Sequence, residues 1–222
     1  MKLVHPDFSF QLLLSRGNVC EWIIESPELF LKYVYELRSQ IDGKEGGFVL
    51  SDQTELPLPK NIVMVTDPMS VDINDRRILT KIYTELEEAA LDEAHYMETQ
   101  EIVADLRQYL VGIEQECFCD LQTGETLDMQ QLFKAFGVKL QEDEQDFLGN
   151  LLRYMKVVSV VLKKKVIVFV NLRSYLSAEQ VESLIQFASY EELSVILIEN
   201  TQRDFSSRIK RFIIDSDKCE IY

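Results

Sequence analysis

Two short apolar runs decide the fold of this 222-residue chain: Val166-Ile-Val-Phe-Val170 and Leu193-Ser-Val-Ile-Leu-Ile198. Runs of this length, rich in β-branched residues, are typical of strands buried on both faces of a sheet. Ser177-Ala-Glu-Gln180 lies between them and has the pattern of a capping box, which predicts a helix from there to about Ala188. A strand, a helix and a second strand at this spacing predict a right-handed parallel crossover. The expected fold class is therefore α/β.

Outward from this unit, strand signals also occur near both ends of the chain. Residues 8–14, 48–50 and 62–66 are predicted as strands, and residues 212–214 as an edge strand. Ser26, Pro27 and Glu28 give the start of a helix that is predicted to end near Gln40. Both ends of the chain therefore contribute to the same α/β region.

The middle of the chain contains helical patterns only. Helices are predicted from Asn74 or Asp75 to Asp92, over 97–118, over 128–136 and over 142–162. On the second of these, Ile102, Leu106, Tyr109 and Ile113 fall on one face. The predicted architecture is a discontinuous α/β head, residues 1–71 and 160–222, interrupted by an all-helical leg, residues 72–159.

The charge is distributed unevenly over these segments. The chain has a formal net charge of −15, and residues 72–150 contribute 19 acidic against 6 basic residues, which is −13. Residues 151–165, in contrast, contain five basic residues and no acid. Because an acidic protein repels nucleic acid through its mean field, any nucleic-acid site has to be a local basic patch.

The basic segment supplies candidate phosphate ligands. If residues 151–165 form one helix, Arg153, Lys156, Lys163 and Lys164 share an arc of roughly 100°, opposite an apolar face. An anionic, phosphate-bearing ligand is one explanation of this stripe. The alternatives are complementation of the helix macrodipole and lysines that flank an apolar strand.

Several chemistries are disfavoured by the composition. With two histidines, His5 and His95, a histidine-built metal site or catalytic triad is nearly excluded, and the four cysteines have no disulfide or zinc spacing. The cysteines are interpreted as reduced cytosolic thiols. No run of 18 apolar residues and no secretory signal are found, so we expect a cytoplasmic protein without a membrane span.

A phosphate-binding loop is also missing. Gly43-Lys44 is the only Gly-Lys pair, but position 38 is Arg and position 45 is Glu, so Gly-x4-Gly-Lys-Ser/Thr fails on both sides. The strands that end at Asp67, Asn171 and Glu199 are similar to the metal-side strand of nucleotide hydrolases, yet a fold does not imply a function. We therefore do not expect an enzyme.

One acidic cluster is a candidate calcium site. Glu116, Asp120, Glu125 and Asp128 surround a glycine-containing turn, and carboxylate oxygens are the ligands that calcium prefers. Their spacing is not that of an EF-hand, and a solvated acidic face is the alternative.

Three stretches together resemble a known family: Asn61-Ile-Val-Met-Val-Thr-Asp67, Lys134-Ala-Phe-Gly-Val-Lys139, and Leu162-Lys-Lys-Lys-Val-Ile-Val-Phe-Val-Asn171 followed by Tyr175-Leu-Ser-Ala-Glu-Gln-Val-Glu-Ser-Leu184. In order and spacing they resemble the CRISPR-associated accessory protein of type II-A spacer acquisition. The resemblance covers most of the chain.

The resemblance implies a nucleotide-hydrolase-like head without a working phosphate loop, and a helical leg. It implies a homotetrameric ring around double-stranded DNA, held in shape by calcium, that acts beside the CRISPR integrase complex and the CRISPR nuclease without catalysis of its own. The candidate DNA contacts are Lys134, Lys139, Arg153, Lys156, Lys163, Lys164 and Lys165. The alternatives are a degenerate nucleotide-dependent enzyme completed in the oligomer and an acidic scaffold that binds only protein.

Overall fold

A computed structural model describes residues 1–116, 118, 124, 126–141, 146–204 and 208–221. The chain divides into two compact units, Met1–Ile73 with Glu142–Tyr222, and Asn74–Gln141. The described helices are α1 Pro27–Ile41, α2 Leu58–Asn61, α3 Arg76–Ala90, α4 Tyr96–Glu114, α5 Met129–Ala135, α6 Phe147–Val160 and α7 Ala178–Tyr190. The described strands are β1 Lys2–Val4, β2 Leu12–Leu13, β3 Val19–Ile24, β4 Val49–Ser51, β5 Glu55–Leu56, β6 Ile62–Val65, β7 Val166–Val170, β8 Ser194–Glu199, β9 Lys210–Ile214 and β10 Glu220–Ile221.

The first unit is built on a six-stranded sheet in the order β10-β9-β3-β8-β7-β6. Five of these strands, β9, β3, β8, β7 and β6, run parallel to one another. The sixth, β10, is antiparallel to β9. Every residue of β3, β6, β7 and β8 is buried. The amino ends of the parallel strands therefore share one edge of the sheet, and their carboxyl ends share the other.

The crossover predicted from the sequence is confirmed. Strand β7 has the predicted bounds, β8 begins one residue later than expected, and the two are adjacent and parallel. Ser177 and Gln180 form the capping box at the start of α7, because each side chain receives a hydrogen bond from the other residue's backbone N–H. The chain is a mixed α/β protein, as predicted.

A smaller antiparallel sheet in the order β2-β1-β4-β5 completes the first unit. Between it and the larger sheet lies an apolar cluster that includes Phe10, Trp22, Tyr33 and Phe48, all of them buried. Burial of such aromatic side chains contributes about 1.5–3 kcal/mol each, so this cluster is a major source of stability.

Some predicted strands differ from those observed. Within 8–14 only β2 is a strand, and 212–214 belongs to β9, which lies between β10 and β3 and is not an edge strand. The central strand β3 was not predicted at all. Its sequence includes Glu21, a residue type that indicates a surface position, yet Glu21 is 0% exposed.

The second unit consists of α3, α4, α5 and their connections among the described residues. Asp75 is the N-cap of α3 and accepts hydrogen bonds from the backbone N–H groups of Arg77 and Ile78. Asn74 and Leu140, at the two ends of the unit, are joined by two hydrogen bonds of 3.0 and 2.8 Å. The entry and the exit of this unit are therefore fastened to each other.

The boundary between the units differs from the predicted one at residues 159 and 160. Helix α6 belongs to the first unit, where its buried side chains are Leu151, Tyr154, Met155 and Val158. Its apolar face, which follows the helical period, is what assigns it to the core of that unit. The division falls between Gln141 and Glu142 instead.

Candidate nucleic-acid interface

The basic segment is not one continuous helix. Helix α6 ends at Val160, so Arg153 and Lys156 are helical whereas Lys163, Lys164 and Lys165 lie in the connection to β7. The prediction of a four-cation stripe on a single helix is therefore wrong. The cause is local: Lys163 has φ of +54°, a left-handed conformation in which a helix cannot continue.

The backbone fixes the position of this connection. The N–H of Lys164 donates to the carbonyl of Val158 at 3.3 Å, and the N–H of Lys165 donates to the carbonyl of Asn61 at 2.8 Å. Both bonds tie the three lysines, which we call the lysine cluster (Lys163, Lys164 and Lys165), to the ends of α6 and α2. The cluster therefore sits at the amino edge of the larger sheet, directly before β7.

A cleft of about 530 Å³ lies at this edge. It is lined by the lysine cluster and by residues from the segments that lead into β3 and β8, because parallel strands begin at the same edge. The charged side chains among its lining residues are Arg16, Asp52, Lys163, Lys164, Lys165, Glu191 and Glu192.

The carboxylates of the cleft all have cationic partners. Asp52 lies 3.7 Å from the amino group of Met1, and Glu192 lies 3.6 Å from the guanidinium of Arg16. Glu191 accepts a hydrogen bond of 2.7 Å from Nζ of Lys156, which raises the pKa of that ammonium. These pairs leave the acids of the cleft neutralised by groups outside the lysine cluster.

The lysines themselves are differently placed. Nζ of Lys164 donates to the carbonyl of Pro59. Lys163 and Lys165 are exposed, and among the residues that the structure describes neither ammonium has an ion-pair partner. Two positive charges of the cleft are therefore available to a ligand.

The other predicted cations are exposed but belong elsewhere. Arg153 lies on α6, one turn before Lys156. Lys134 is in the last turn of α5 and Lys139 follows it, both in the 74–141 unit. The structure thus brings Lys156 and the lysine cluster together through Glu191, and it leaves Lys134 and Lys139 in a separate unit.

The candidate calcium ligands are only partly described. Asp120 and Glu125 lie outside the described residues. Glu116 is exposed, and Asp128 is the N-cap of α5, where its carboxylate accepts a hydrogen bond of 3.0 Å from the N–H of Gln131. Among the described residues no three or more His, Cys, Asp or Glu side chains form a group that could hold a metal ion. The described donors alone therefore do not fit a calcium site.

The same sheet also holds a buried cluster of charges, which links Glu21 in the middle of β3 with Arg173, after the carboxyl end of β7, and Arg211, near the start of β9. The carboxylate of Glu21 accepts hydrogen bonds of 2.6 Å from Nη1 of Arg173 and of 2.6 Å from Nε of Arg211. Arg173 also donates from its backbone N–H to Glu199 at 3.0 Å, and from Nη2 to the carbonyl of Asp204 at 2.8 Å. Charge-assisted bonds of this length are strong, so Glu21 is held firmly in place.

The carboxyl group of Glu199, at the end of β8, has a raised pKa. Burial raises its pKa to about 7, and the nearby charge of Glu21 adds to this rise. The bond from the N–H of Arg173 and the charges of Arg173 and Arg203 act in the opposite direction. Asn171, which follows β7, adopts φ of +54° and accepts a bond from the N–H of Asn200.

The sequence did not predict the hydrogen-bond partners of Glu21 or the residues that meet the lysine cluster in the cleft. Arg173 and Arg211 lie 152 and 190 positions after Glu21 in the sequence, and no local pattern links either arginine to it. A usable signal did exist for the cleft, because Arg16 precedes β3 and Glu191 precedes β8. Once these strands are assigned as parallel neighbours of β7, the residues before them have to meet the lysine cluster at one edge.

No described helix combines the length and the apolarity that crossing a membrane would require.

Fold and site together define a mixed α/β protein that has a basic cleft at the amino edge of its larger sheet and whose sequence lacks the Gly-x4-Gly-Lys-Ser/Thr motif of a phosphate-binding loop. The family described as "CRISPR-associated protein (Cas_Csn2)" matches residues 40–218, and the chain belongs to this family. The resemblance seen in the sequence is thereby confirmed, and the chain is a CRISPR-associated protein.

Relatives and solved structures agree with this assignment or are neutral to it. The chain is similar to a CRISPR-associated protein Csn2 from Enterococcus faecalis, 26% identical over 195 residues that cover 87% of this chain and 85% of the relative. It is also similar to a CRISPR-associated protein Csn2 from Streptococcus agalactiae, 24% identical over 218 residues that cover 98% of this chain and 96% of the relative. A putative ABC transporter (ATP-binding protein) from Pyrococcus furiosus aligns with 95% of this chain and 94% of its own, at 13% identity and a TM-score of 0.39.

Proposed function

We propose that this protein binds double-stranded DNA without sequence preference during CRISPR spacer acquisition. The observation that carries the proposal is the exposed lysine cluster, which stands in a protein of net charge −15 and keeps two ammonium groups without a carboxylate partner among the described residues. Ammonium groups bind phosphate oxygens in any sequence, because phosphates carry no base information. Such contacts suit a protein that has to accept whichever DNA is captured.

The remaining charge of the protein favours a localised DNA site. Residues 72–150 carry −13, so this segment repels duplex DNA. Arg153, Lys156, Lys134 and Lys139 are further exposed cations that we propose as phosphate contacts.

We propose a homotetrameric ring as the active form. Helix α4 supports self-association, because it exposes a series of apolar side chains to solvent in the single chain. These are Tyr96, Met97, Ile102, Leu106, Tyr109, Leu110, Val111 and Ile113. A helix that exposes this many large apolar side chains is a candidate interaction surface.

In this proposal the ring acts in the cytoplasm beside the CRISPR integrase complex and the CRISPR nuclease, and has no catalytic activity. Calcium is proposed as a stabiliser of the assembly, with Glu116, Asp120, Glu125 and Asp128 as candidate ligands from each chain. Acidic segments that meet in an oligomer repel each other unless a cation neutralises them. Sedimentation in chelator and in millimolar calcium tests this part: dissociation in chelator is expected, and an unchanged assembly would refute it.

The decisive experiment measures duplex affinity against salt. The triple variant with Lys163, Lys164 and Lys165 replaced by Glu is expected to lose most of its binding. Each phosphate contact contributes about 0.9 to the slope of log affinity against log salt, so two contacts from each of four chains predict a slope of about −7. Lys44→Glu is the control, because Lys44 is exposed in the turn after α1 and does not line the cleft.

The topology of the ring has its own test. Linear duplex should bind and covalently closed circles should not, and blocking both ends of the linear duplex with a bulky protein should prevent loading. Equal affinity for circles would mean an open groove, and a flat salt response would refute DNA binding altogether.

A further inference from the structure

The cleft at the amino edge differs in size from what a duplex needs. Its volume of about 530 Å³ equals a cube with an edge of about 8 Å, and lies in the range of roughly 300–1,000 Å³ that is typical of small-molecule sites. The major groove of DNA alone is about 12 Å wide, so a duplex passes over such a cleft without entering it. The last nucleotide of a strand is small enough to enter.

The charge of the cleft matches a particular kind of phosphate. Its three carboxylates are neutralised by Met1, Arg16 and Lys156, so the charges of Lys163, Lys164 and Lys165 remain in excess, although Nζ of Lys164 is also bonded to the carbonyl of Pro59. A phosphate monoester carries about −1.5 to −2 at pH 7, whereas each internal phosphodiester of DNA carries −1. An excess of positive charge in one concave site therefore favours a monoester over a diester.

A further donor in the cleft is held only weakly. The ion pair of Arg16 with Glu192 is long, at 3.6 Å, and both side chains are largely exposed, 83% and 68%. Exposed pairs of this kind contribute little to stability, so a ligand can replace Glu192 at small cost. The guanidinium would then offer two parallel N–H donors, a geometry that fits phosphate oxygens.

The backbone of the cleft, in contrast, has little to offer. The N–H groups of Lys164, Lys165 and Val195 donate to the carbonyls of Val158, Asn61 and Asn18. An anion in this site therefore has to be recognised by side chains, which makes recognition sensitive to single charge substitutions.

We propose that this cleft binds a terminal phosphate monoester, supplied by the 5′ end of a DNA strand or by a free nucleotide. The inference rests on the proposed function, because it assigns to the DNA site a subsite for the chain end. At the carboxyl edge, where ligands of open α/β sheets usually bind, Arg173 is engaged within the chain, because its guanidinium is bonded to Glu21 and its backbone N–H to Glu199. The amino edge thus carries the open, positively charged site of this sheet.

The test compares two blunt linear duplexes of identical sequence, one with 5′-phosphate ends and one with 5′-hydroxyl ends. The full-length protein is expected to bind the phosphorylated duplex about tenfold more tightly, the effect of one charge-assisted hydrogen bond. Lys165→Glu should abolish this ratio, and Lys165→Gln should reduce it. Lys44→Glu, the matched control, should preserve it.

A second arm identifies the source of the phosphate. Adenosine 5′-monophosphate and adenosine are titrated against the protein by calorimetry, with the same variants. Binding of the monophosphate that is lost in Lys165→Glu, without any preference between the two duplexes, would assign the cleft to a free nucleotide. If the duplexes bind equally well and the monophosphate does not bind, the cleft is not a monoester site and the inference is overturned, whereas DNA binding itself still stands. If neither duplex binds at all, the proposed function fails.

Discussion

Charged side chains lie at both edges of the larger sheet. At one edge they are paired within the chain, and at the other two lysines have no carboxylate partner among the described residues. At the carboxyl edge, the guanidinium of Arg173 reaches the fully buried carboxylate of Glu21, which also binds Arg211, and both bonds are 2.6 Å long. At the amino edge, Lys163 and Lys165 are exposed and have no carboxylate partner among the described residues. One edge is closed by its own charges and the other leaves them open to a ligand.

The difference follows from burial. A charge removed from water is costly unless it is paired and hydrogen-bonded, so the buried edge has to satisfy its charges within the chain. An exposed lysine loses little by having no partner, because water solvates it. Internal pairing therefore indicates a structural role at the carboxyl edge, whereas the exposed lysines of the amino edge are compatible with the proposed DNA binding.

The largest expected effect is on stability at the carboxyl edge. Arg173→Met removes one of the two cations that neutralise Glu21 and leaves a buried, poorly compensated carboxylate. We expect the free energy of unfolding to fall by about 3–5 kcal/mol, measured by urea denaturation. Arg16→Met, at the amino edge, should change it by less than about 1 kcal/mol. Equal losses in the two variants would erase the distinction between the edges.

An intermediate effect is expected at Glu199. Its pKa rises in the folded protein to about 7 from an ordinary 4.5, so the folded state holds a proton that the unfolded state releases between these values. Stability therefore falls as pH rises through this window, and the loss is complete above pH 7. Glu199→Gln keeps an oxygen for the N–H of Arg173 and removes the titration. Its stability relative to the parent should rise by about 2–3 kcal/mol between pH 4.5 and pH 8.

Glu192→Gln is the control for this prediction, because Glu192 is an exposed carboxylate at the opposite edge. At pH 8 the stability difference between this variant and the parent should be smaller than the one for Glu199→Gln, because the Glu192 side chain is 68% exposed. A pH dependence in Glu199→Gln that equals the parent's would show that the titrating group lies elsewhere.

The smallest expected effect concerns Lys156 at the amino edge. Glu191→Gln releases the ammonium of Lys156 from its 2.7 Å ion pair and makes it available to phosphate. For each chain of the ring, the gain in duplex binding should stay within the roughly 1 kcal/mol that such pairs contribute, and the salt slope should steepen by about 0.9, which is about 3.6 for four chains. Fluorescence anisotropy at several salt concentrations measures both. Glu179→Gln, exposed at the start of α7, should change neither. Weaker binding in Glu191→Gln would mean that Glu191 positions Lys156 for the DNA.

Local patterns predicted the part of the fold that local interactions determine. Strand β7 and the capping box of α7 lie where the sequence places them, because apolar runs and caps act over a few residues. Strand β3 was missed because Glu21 indicates exposure, and its burial is made possible by Arg173 and Arg211, far along the chain. The central strand of the sheet could therefore not be recognised without its distant partners.

The site shows the same limit. The sequence identified the lysine cluster, and its exposure agrees with a ligand-binding role. The helical stripe was wrong, because the end of α6 is set by the backbone conformation of Lys163, which its residue type does not indicate. The cleft depends on the parallel pairing of β3, β8 and β7, which only the assembled sheet provides.

The two hydrogen bonds between Asn74 and Leu140 have a consequence for the evolution of this chain. The side-chain amide of Asn74 bonds both the N–H and the carbonyl of Leu140, 66 positions further along the chain, and so brings the two ends of this span together. A span whose ends meet can be removed or exchanged through a single turn between its flanks, without lengthening the path of the remaining chain. The 74–141 segment is therefore suited to insertion, deletion or replacement as one unit in the evolution of the gene.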